Sequence, residues 1–188
     1  SKAITKNKNP FSSNSDYYHQ IQQIDVSFEK YQAIIPLPFY HIGSEHNIIN
    51  YEKSIFYHSQ LLSYILNKPL FSSSLSRTSI SESINIANII APNYFNKNLA
   101  SELNDSDSFL IIVENKESLN SFEKNILKKS KYLTTKNTIH YYEISYNNLF
   151  KPDSNFKREE AGFFIEDSTY RIIHSNPKAF VYFNPFEE

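Results

Sequence analysis

The chain has 188 residues, of which 40% are hydrophobic, and its 19 Lys and Arg residues nearly balance its 20 Asp and Glu residues. This length suits one domain with a proper core, and the net charge of −1 gives no field that would steer the chain to nucleic acid. The absence of cysteine excludes disulfides and thiolate metal sites, and no apolar run reaches the length of a transmembrane helix.

The first predicted elements follow a polar leader. Residues 1–15 lack apolar periodicity, which predicts a flexible linker. Apolar residues at helical spacing predict a helix over 16–30, and "YQAIIPLPFYHIG" (31–43) predicts a buried strand that ends in a turn. A second apolar stripe predicts a helix over 47–66.

The middle of the chain continues this alternation. "KPLFSSSLSR" predicts a short strand and a serine-rich loop, and Ser79 with Glu82 has the spacing of a capping box that opens a helix ending at Pro92. "SFLIIVEN" (108–115) is a continuous apolar run, typical of a strand buried on both faces. An amphipathic helix is predicted over 116–133 and a fourth strand over 137–145.

Alternating strands and helices indicate the fold class α/β. We expect a three-layer, Rossmann-like or flavodoxin-like domain with a mostly parallel sheet over residues 16–150. Residues 151–188 contain the short aromatic runs "GFFIE", "YRIIH" and "AFVYF", separated by turn residues. They predict a short β-rich C-terminal extension, truncated if the natural chain continues.

Candidate ligand-binding residues are those expected where strands end, because open α/β sheets bind ligands at the carboxyl ends of their strands. These residues are His41, Ser44, Glu45, His46, Ser76, Arg77 and Glu114. Arg77 precedes a helix N-terminus and suits a bound anion, although an ion pair with Glu45 or Glu82 is the better explanation.

The motifs of several enzyme classes are missing. His41, Glu45 and His46 offer metal ligands, but their spacing matches no strong metal-binding signature, so we expect no metal. There is no G-x-S-x-G elbow, and two glycines in the whole chain exclude a glycine-rich phosphate loop, so we expect no cofactor. The 14 Tyr and 15 Phe residues suit sugar stacking or ordinary core packing.

One stretch, "YQAIIPLPFYHIGSEHN", is similar to the soluble C-terminal region of multi-pass membrane glycosyltransferase-like proteins from Bacteroidetes. "SSSLSRTSISES" and "FLIIVENKESLNSFEKNILKKS" fit that pattern more loosely. The resemblance implies a periplasmic or otherwise extracytoplasmic domain whose partner is the membrane-embedded part of the same polypeptide. It also implies carbohydrate or lipid-linked sugar as a ligand.

Two functions are compatible with these observations. The first is a non-catalytic binding or scaffolding domain of such a membrane protein. The alternative is a free-standing hydrolase or transferase that uses His41, Glu45 and Arg77 in one cleft at the strand C-termini. Nothing in the sequence pairs basic residues with aromatic residues in the way that nucleic-acid binding requires, so no nucleic acid is expected.

Overall fold

The structure is a computed structural model in which part of the chain is described. The described residues are 19, 21, 23–24, 26–42, 47–48, 53–72, 74, 78–93, 97–136, 138–151, 170–172 and 181–183. Of the predicted site residues, His41 and Glu114 belong to this set, whereas Ser44, Glu45, His46, Ser76 and Arg77 lie outside it.

Eight strands are found in the described residues. They are β1 (Tyr31–Leu37), β2 (His41–Ile42), β3 (Asn47–Ile48), β4 (Ser108–Val113), β5 (Lys131–Lys136), β6 (Ile139–Ser145), β7 (Tyr170–Ile172) and β8 (Val181–Phe183). The main sheet has the order β1-β4-β6-β5. Strand β1 pairs with β4 in parallel, while β6 runs antiparallel to both β4 and β5.

Four α-helices accompany the described strands. They are α1 (Lys53–Leu66), α2 (Ile80–Ala87), α3 (Ser121–Lys128) and α4 (Tyr146–Phe150), with 3-10 turns at Phe28–Lys30, Asn88–Ile90 and Asn98–Glu102. The predicted capping box of Ser79 and Glu82 is confirmed at the start of α2. No helix in the described part of the chain has the length and apolar character needed to cross a membrane.

Side chains alternate along the sheet and build a core on each of its faces. The first core packs β1, β4 and β6 against α2, α3 and α4, and it contains Ile35, Phe109, Ile111 and Val113. The second core packs the other face against α1, and it contains Leu110 and Ile112. The central strands carry apolar side chains on both faces, and helices therefore cover both faces of the sheet.

The predicted mostly parallel, Rossmann-like sheet is wrong. The sheet is mixed, and β1 with β4 is its one parallel pair of described strands. The difference arises at β5, because the apolar spacing predicts a helix over 116–133, whereas residues 131–133 begin a strand. The chain instead ends α3, forms β5 at the edge of the sheet, and turns back so that β6 inserts between β5 and β4.

Other predicted elements are shifted or shortened. The helix expected over 47–66 begins at Lys53, and residues 47–48 pair with β2 instead. In the short strand expected after α1, Leu70 forms an isolated parallel bridge with Ile34, and the described residues there form no longer strand. The helix expected over 16–30 does not continue to its end, where a 3-10 turn precedes β1.

Two of the two or three strands expected in the tail are found among its described residues. Strands β7 and β8 pair antiparallel, as "YRIIH" and "AFVYF" predict, while "GFFIE" lies outside the described residues. The division of the chain into a linker, an α/β domain and an extension stays a prediction.

A polar contact joins β1 to β6 across the intervening strand. The Tyr31 hydroxyl donates to Glu143 Oε2 over 2.9 Å, and the Lys30 ammonium forms an ion pair with the same oxygen. Burial favours a raised pKa for Glu143, but the hydrogen bonds from Lys30 and Tyr31 and the charges of Lys30 and Lys131 outweigh it, so the pKa is lowered. The same contact and burial raise the pKa of Tyr31.

We predict that Leu110→Ala lowers the free energy of unfolding by about 2–5 kcal/mol, because it leaves a cavity in a fully buried strand. Leu133→Ala is the matched control, since Leu133 is only partly buried against the same core on the edge strand, and it should cost less than half as much. Urea denaturation measures both losses. Equal losses would contradict the central position of β4.

Candidate functional site

One edge of the sheet gathers the strand ends that the sequence marked as a ligand site. Strands β1 and β4 end side by side there, because Leu37 and Val113 are parallel partners. The end of β5 and the start of β6 join them, since Val113 pairs with His140 and His140 pairs with Thr135. We call this row of strand ends the site edge, as distinct from the outermost strands of the sheet. The expectation that strand tips meet along one rim holds for β1 and β4, although β6 runs the other way.

The two described residues from the predicted site lie at this edge. His41, in β2, is fully buried, with 0% of its surface exposed. Glu114 follows β4 and is half-buried, and its Oε2 atom is buried without a hydrogen-bond partner among the described residues. Whether Ser44, Glu45, His46, Ser76 and Arg77 join them stays a prediction.

A buried hydroxyl cluster lies directly after β1. The hydroxyl oxygens of Tyr40 and Ser59 are 2.6 Å apart, so that the loop after β1 is tied to α1. The Ser72 hydroxyl donates to the Tyr40 carbonyl over 2.7 Å, which ties the same loop to the segment after Leu70. Burial raises the pKa of Tyr40, and the hydrogen bonds with Ser59, Ser72 and Gln60 oppose this rise.

Glu123 is a site-edge residue that sequence reasoning missed. Its Oε2 atom accepts from the Asn120 N–H over 3.0 Å, which completes a capping box at the start of α3. Its Oε1 atom accepts from the Phe39 N–H over 2.6 Å, so the carboxylate also fixes the loop after β1. The Asn120–Glu123 spacing is the sequence signal that could have identified the cap.

The electrostatics of Glu123 reflect this double role. The side chain is 1% exposed, and burial raises its pKa. The two backbone N–H groups and the charge of Lys124 act in the opposite direction. The carboxylate is therefore held by the chain itself on both of its oxygens.

Lys97 is a second buried charged residue, and it lies beside α4 on the face of the sheet that carries the first core. Lys97 is 4% exposed, and its ammonium donates to the carbonyls of Ile89 and Leu149 over 2.9 and 2.8 Å and to Asn93 Oδ1 over 3.3 Å. Burial and the charge of Lys129 lower the pKa of Lys97 to about 7. Through these three acceptors, Lys97 joins its own segment to two others, which are residues 88–93 and α4.

A shallow depression lies near this lysine, between the 3-10 turn at Asn88–Ile90 and α3. Its empty space is about 240 Å³, including open solvent, and its lining includes Pro92, Asn93, Phe122, Lys129 and Asn148. Pockets for small molecules usually enclose about 300–1,000 Å³. The depression is therefore smaller than a typical ligand pocket.

A polar and aromatic cluster, exposed at Lys116, Tyr132 and Thr135, occupies the β5–β6 end of the site edge. We call it the Lys116 cluster, and its members are Lys116, Tyr132, Thr135, His140 and Tyr142. The Lys116 ammonium lies 5.9 and 5.5 Å from the ring centroids of Tyr132 and Tyr142. Sequence reasoning missed this cluster because it placed part of β5 in a helix.

Among the described residues, no three His, Asp or Glu side chains lie close enough together to hold a metal ion. Comparison of the chain with known protein families, curated proteins and solved structures found no match.

We predict that Glu123→Gln lowers the free energy of unfolding by about 1–3 kcal/mol, because the amide turns one acceptor into a donor that faces a backbone N–H. Glu82→Gln is the matched control, since Glu82 fills the same capping-box position on α2 but is exposed and, within the described part of the chain, bonds only to Ser79. Thermal or urea unfolding should show a much smaller loss for this control. Equal losses would mean that the contact with Phe39 is unimportant.

We also predict that Lys97 makes stability depend on pH. Its pKa is about 7 in the folded chain and 10.5 ordinarily, so the unfolded chain binds more protons between these values. The free energy of unfolding should rise with pH in this window, by up to about 1.4 kcal/mol per pH unit from this group. Urea titrations at pH 7, 8 and 9 should show this rise in the wild type, and a smaller one in Lys97→Met. Identical slopes would refute the assignment.

Proposed function

We propose that this chain is a non-catalytic binding or scaffolding module on the extracytoplasmic side of a membrane, within a glycosyltransferase-like membrane protein. The membrane context rests on the resemblance at residues 33–47. The binding or scaffolding role is supported by the way in which the chain uses its polar groups at the site edge.

The observation that carries this role is the internal bonding of the buried polar side chains. Tyr40, Ser59, Ser72 and Glu123 each bind another segment of the chain. A catalytic acid, base or nucleophile has to reach a substrate atom. These groups instead hold the loop after β1 against α1 and α3, which is the work of a scaffold.

The position of His41 supports the same conclusion. The hydrolase alternative requires its imidazole in an open cleft, yet the residue has no exposed surface. Among the described residues at the site edge, the Lys116 cluster offers exposed groups to a ligand, since Lys116, Tyr132 and Thr135 are exposed. A rigid internal network beneath an exposed polar surface suits recognition.

The first experiment separates binding from turnover. The chain is incubated with p-nitrophenyl acetate, p-nitrophenyl phosphate and p-nitrophenyl glycosides, and product is followed by absorbance. We expect rates equal to those of buffer. NMR titration of the same chain with a panel of mono- and disaccharides should give saturable shifts.

The variants Thr135→Ala and His140→Gln make the turnover assay decisive. Thr135 and His140 lie within hydrogen-bond distance, which is the arrangement that an activated hydroxyl would need. Turnover by the wild type would end the proposal of a non-catalytic module. Its loss in both variants would place the reaction at Thr135 and His140, and its persistence in both would point to His41, Glu45 and Arg77 instead.

The membrane context has its own test in the natural reading frame upstream of Ser1. The proposal predicts several apolar segments there, each of about 20 residues. A start codon close to Ser1 would remove the membrane part of the proposal and leave the binding role.

A further inference from the structure

The Lys116 cluster brings together residues from three segments of the chain. Lys116 comes from the loop after β4, Tyr132 and Thr135 from β5, and His140 from β6. Tyr142, on β6, supports Tyr132 through an edge-to-face contact with 5.4 Å between ring centroids. The cluster therefore depends on the β5–β6 hairpin rather than on one local motif.

The ammonium group of Lys116 lies over two aromatic rings, and its positive charge is available to an anionic ligand. It lies over both tyrosine rings, at distances at which a cation is attracted to the ring face. Within the described part of the chain, Lys116 makes no ion pair. An ammonium group held in this way can bind a carboxylate or phosphate without first breaking an ion pair within the described part of the chain.

A line of hydrogen-bonding groups runs beside this charge. The Tyr132 hydroxyl lies 2.9 Å from Thr135 Oγ1, which lies 2.6 Å from His140 Nδ1. Burial and the charge of Lys116 lower the pKa of His140, which favours the neutral imidazole. His140 Nε2 makes no hydrogen bond to the residues that the structure describes, so it remains for a ligand hydroxyl.

We propose that Lys116, Tyr132, Thr135 and His140 form a subsite for a sugar ring that carries one negative group. The exposed part of the Tyr132 ring packs on the apolar face of the sugar, and Thr135 and His140 bind its hydroxyls. The Lys116 ammonium binds the carboxylate of a uronic acid or the phosphate of a sugar phosphate. This inference rests on the proposed binding function and specifies its ligand.

Four probes separate the parts of this chemistry. Glucuronate and glucose 1-phosphate carry a ring and a negative charge, glucose lacks the charge, and inorganic phosphate lacks the ring. NMR titrations should show both anionic sugars binding at least about tenfold more tightly than glucose or phosphate, because each of these loses one set of contacts. The ring protons of His140 should shift on binding. The better of the two anionic sugars identifies the source of the charge.

Matched variants locate the site. Lys116→Gln and Tyr132→Ala should each weaken binding of the better anionic sugar by at least about tenfold. Lys128→Gln and Tyr57→Ala are the controls and should leave affinity unchanged, because Lys128 is exposed at the end of α3 and Tyr57 is 68% exposed on α1. Thermal unfolding of all four variants shows that they fold.

Three outcomes would overturn the subsite. They are binding of glucose as tight as that of the anionic sugars, equal losses in variants and controls, and no binding by any of the four probes. If other sugars shift residues elsewhere on the chain, this subsite fails while the proposed binding function stands. Turnover in the chromogenic assay, in contrast, would remove the proposed function itself.

Discussion

The whole arrangement depends on the burial of β4 between a parallel and an antiparallel neighbour. Residues 109–113 of this strand have 0% exposure. Their side chains alternate between the first core and the second core, so the strand supplies both faces of the sheet with apolar contacts. The strand also sets the positions of the site edge, because β1 ends beside it and β6 begins beside it. Loss of either neighbour would separate the loop after β1 from the Lys116 cluster.

Much of the fold could be predicted where one signal decides the structure. A run of apolar residues predicted β4 correctly, and the Ser79–Glu82 spacing predicted the start of α2. Strand β5 could not be recognised in this way, because "KYLTTK" is polar on its open side and continues the apolar spacing of the helix before it. Strand β5 is followed by a turn that reverses the chain, so β6 runs antiparallel to β4. A prediction that lacks β5 gives β6 the parallel direction, which is why the predicted mostly parallel sheet is wrong.

The site was less predictable than the fold, because its members depend on tertiary contacts. Glu123 has a local signal in its capping box, but its contact with Phe39 joins residues 84 positions apart. Lys97 has no local signal, since its burial depends on carbonyls from two other segments. The residues of the Lys116 cluster meet only because β5 and β6 form a hairpin. The rule that ligands bind at strand ends points to this edge of the sheet, but it does not identify these side chains.

Disulfide trapping of β4 against β6 tests the central claim most directly, because these 188 residues include no cysteine that would compete. Ser108 and Ser145 are antiparallel partners, so their Cα atoms should be about 4.5–5.5 Å apart, within the range that a disulfide spans. The account predicts that Ser108→Cys with Ser145→Cys crosslinks on mild oxidation of the folded chain, and that Ser108→Cys with Thr138→Cys does not. A crosslink in the second pair and none in the first would show that β6 runs parallel to β4, which would contradict the account.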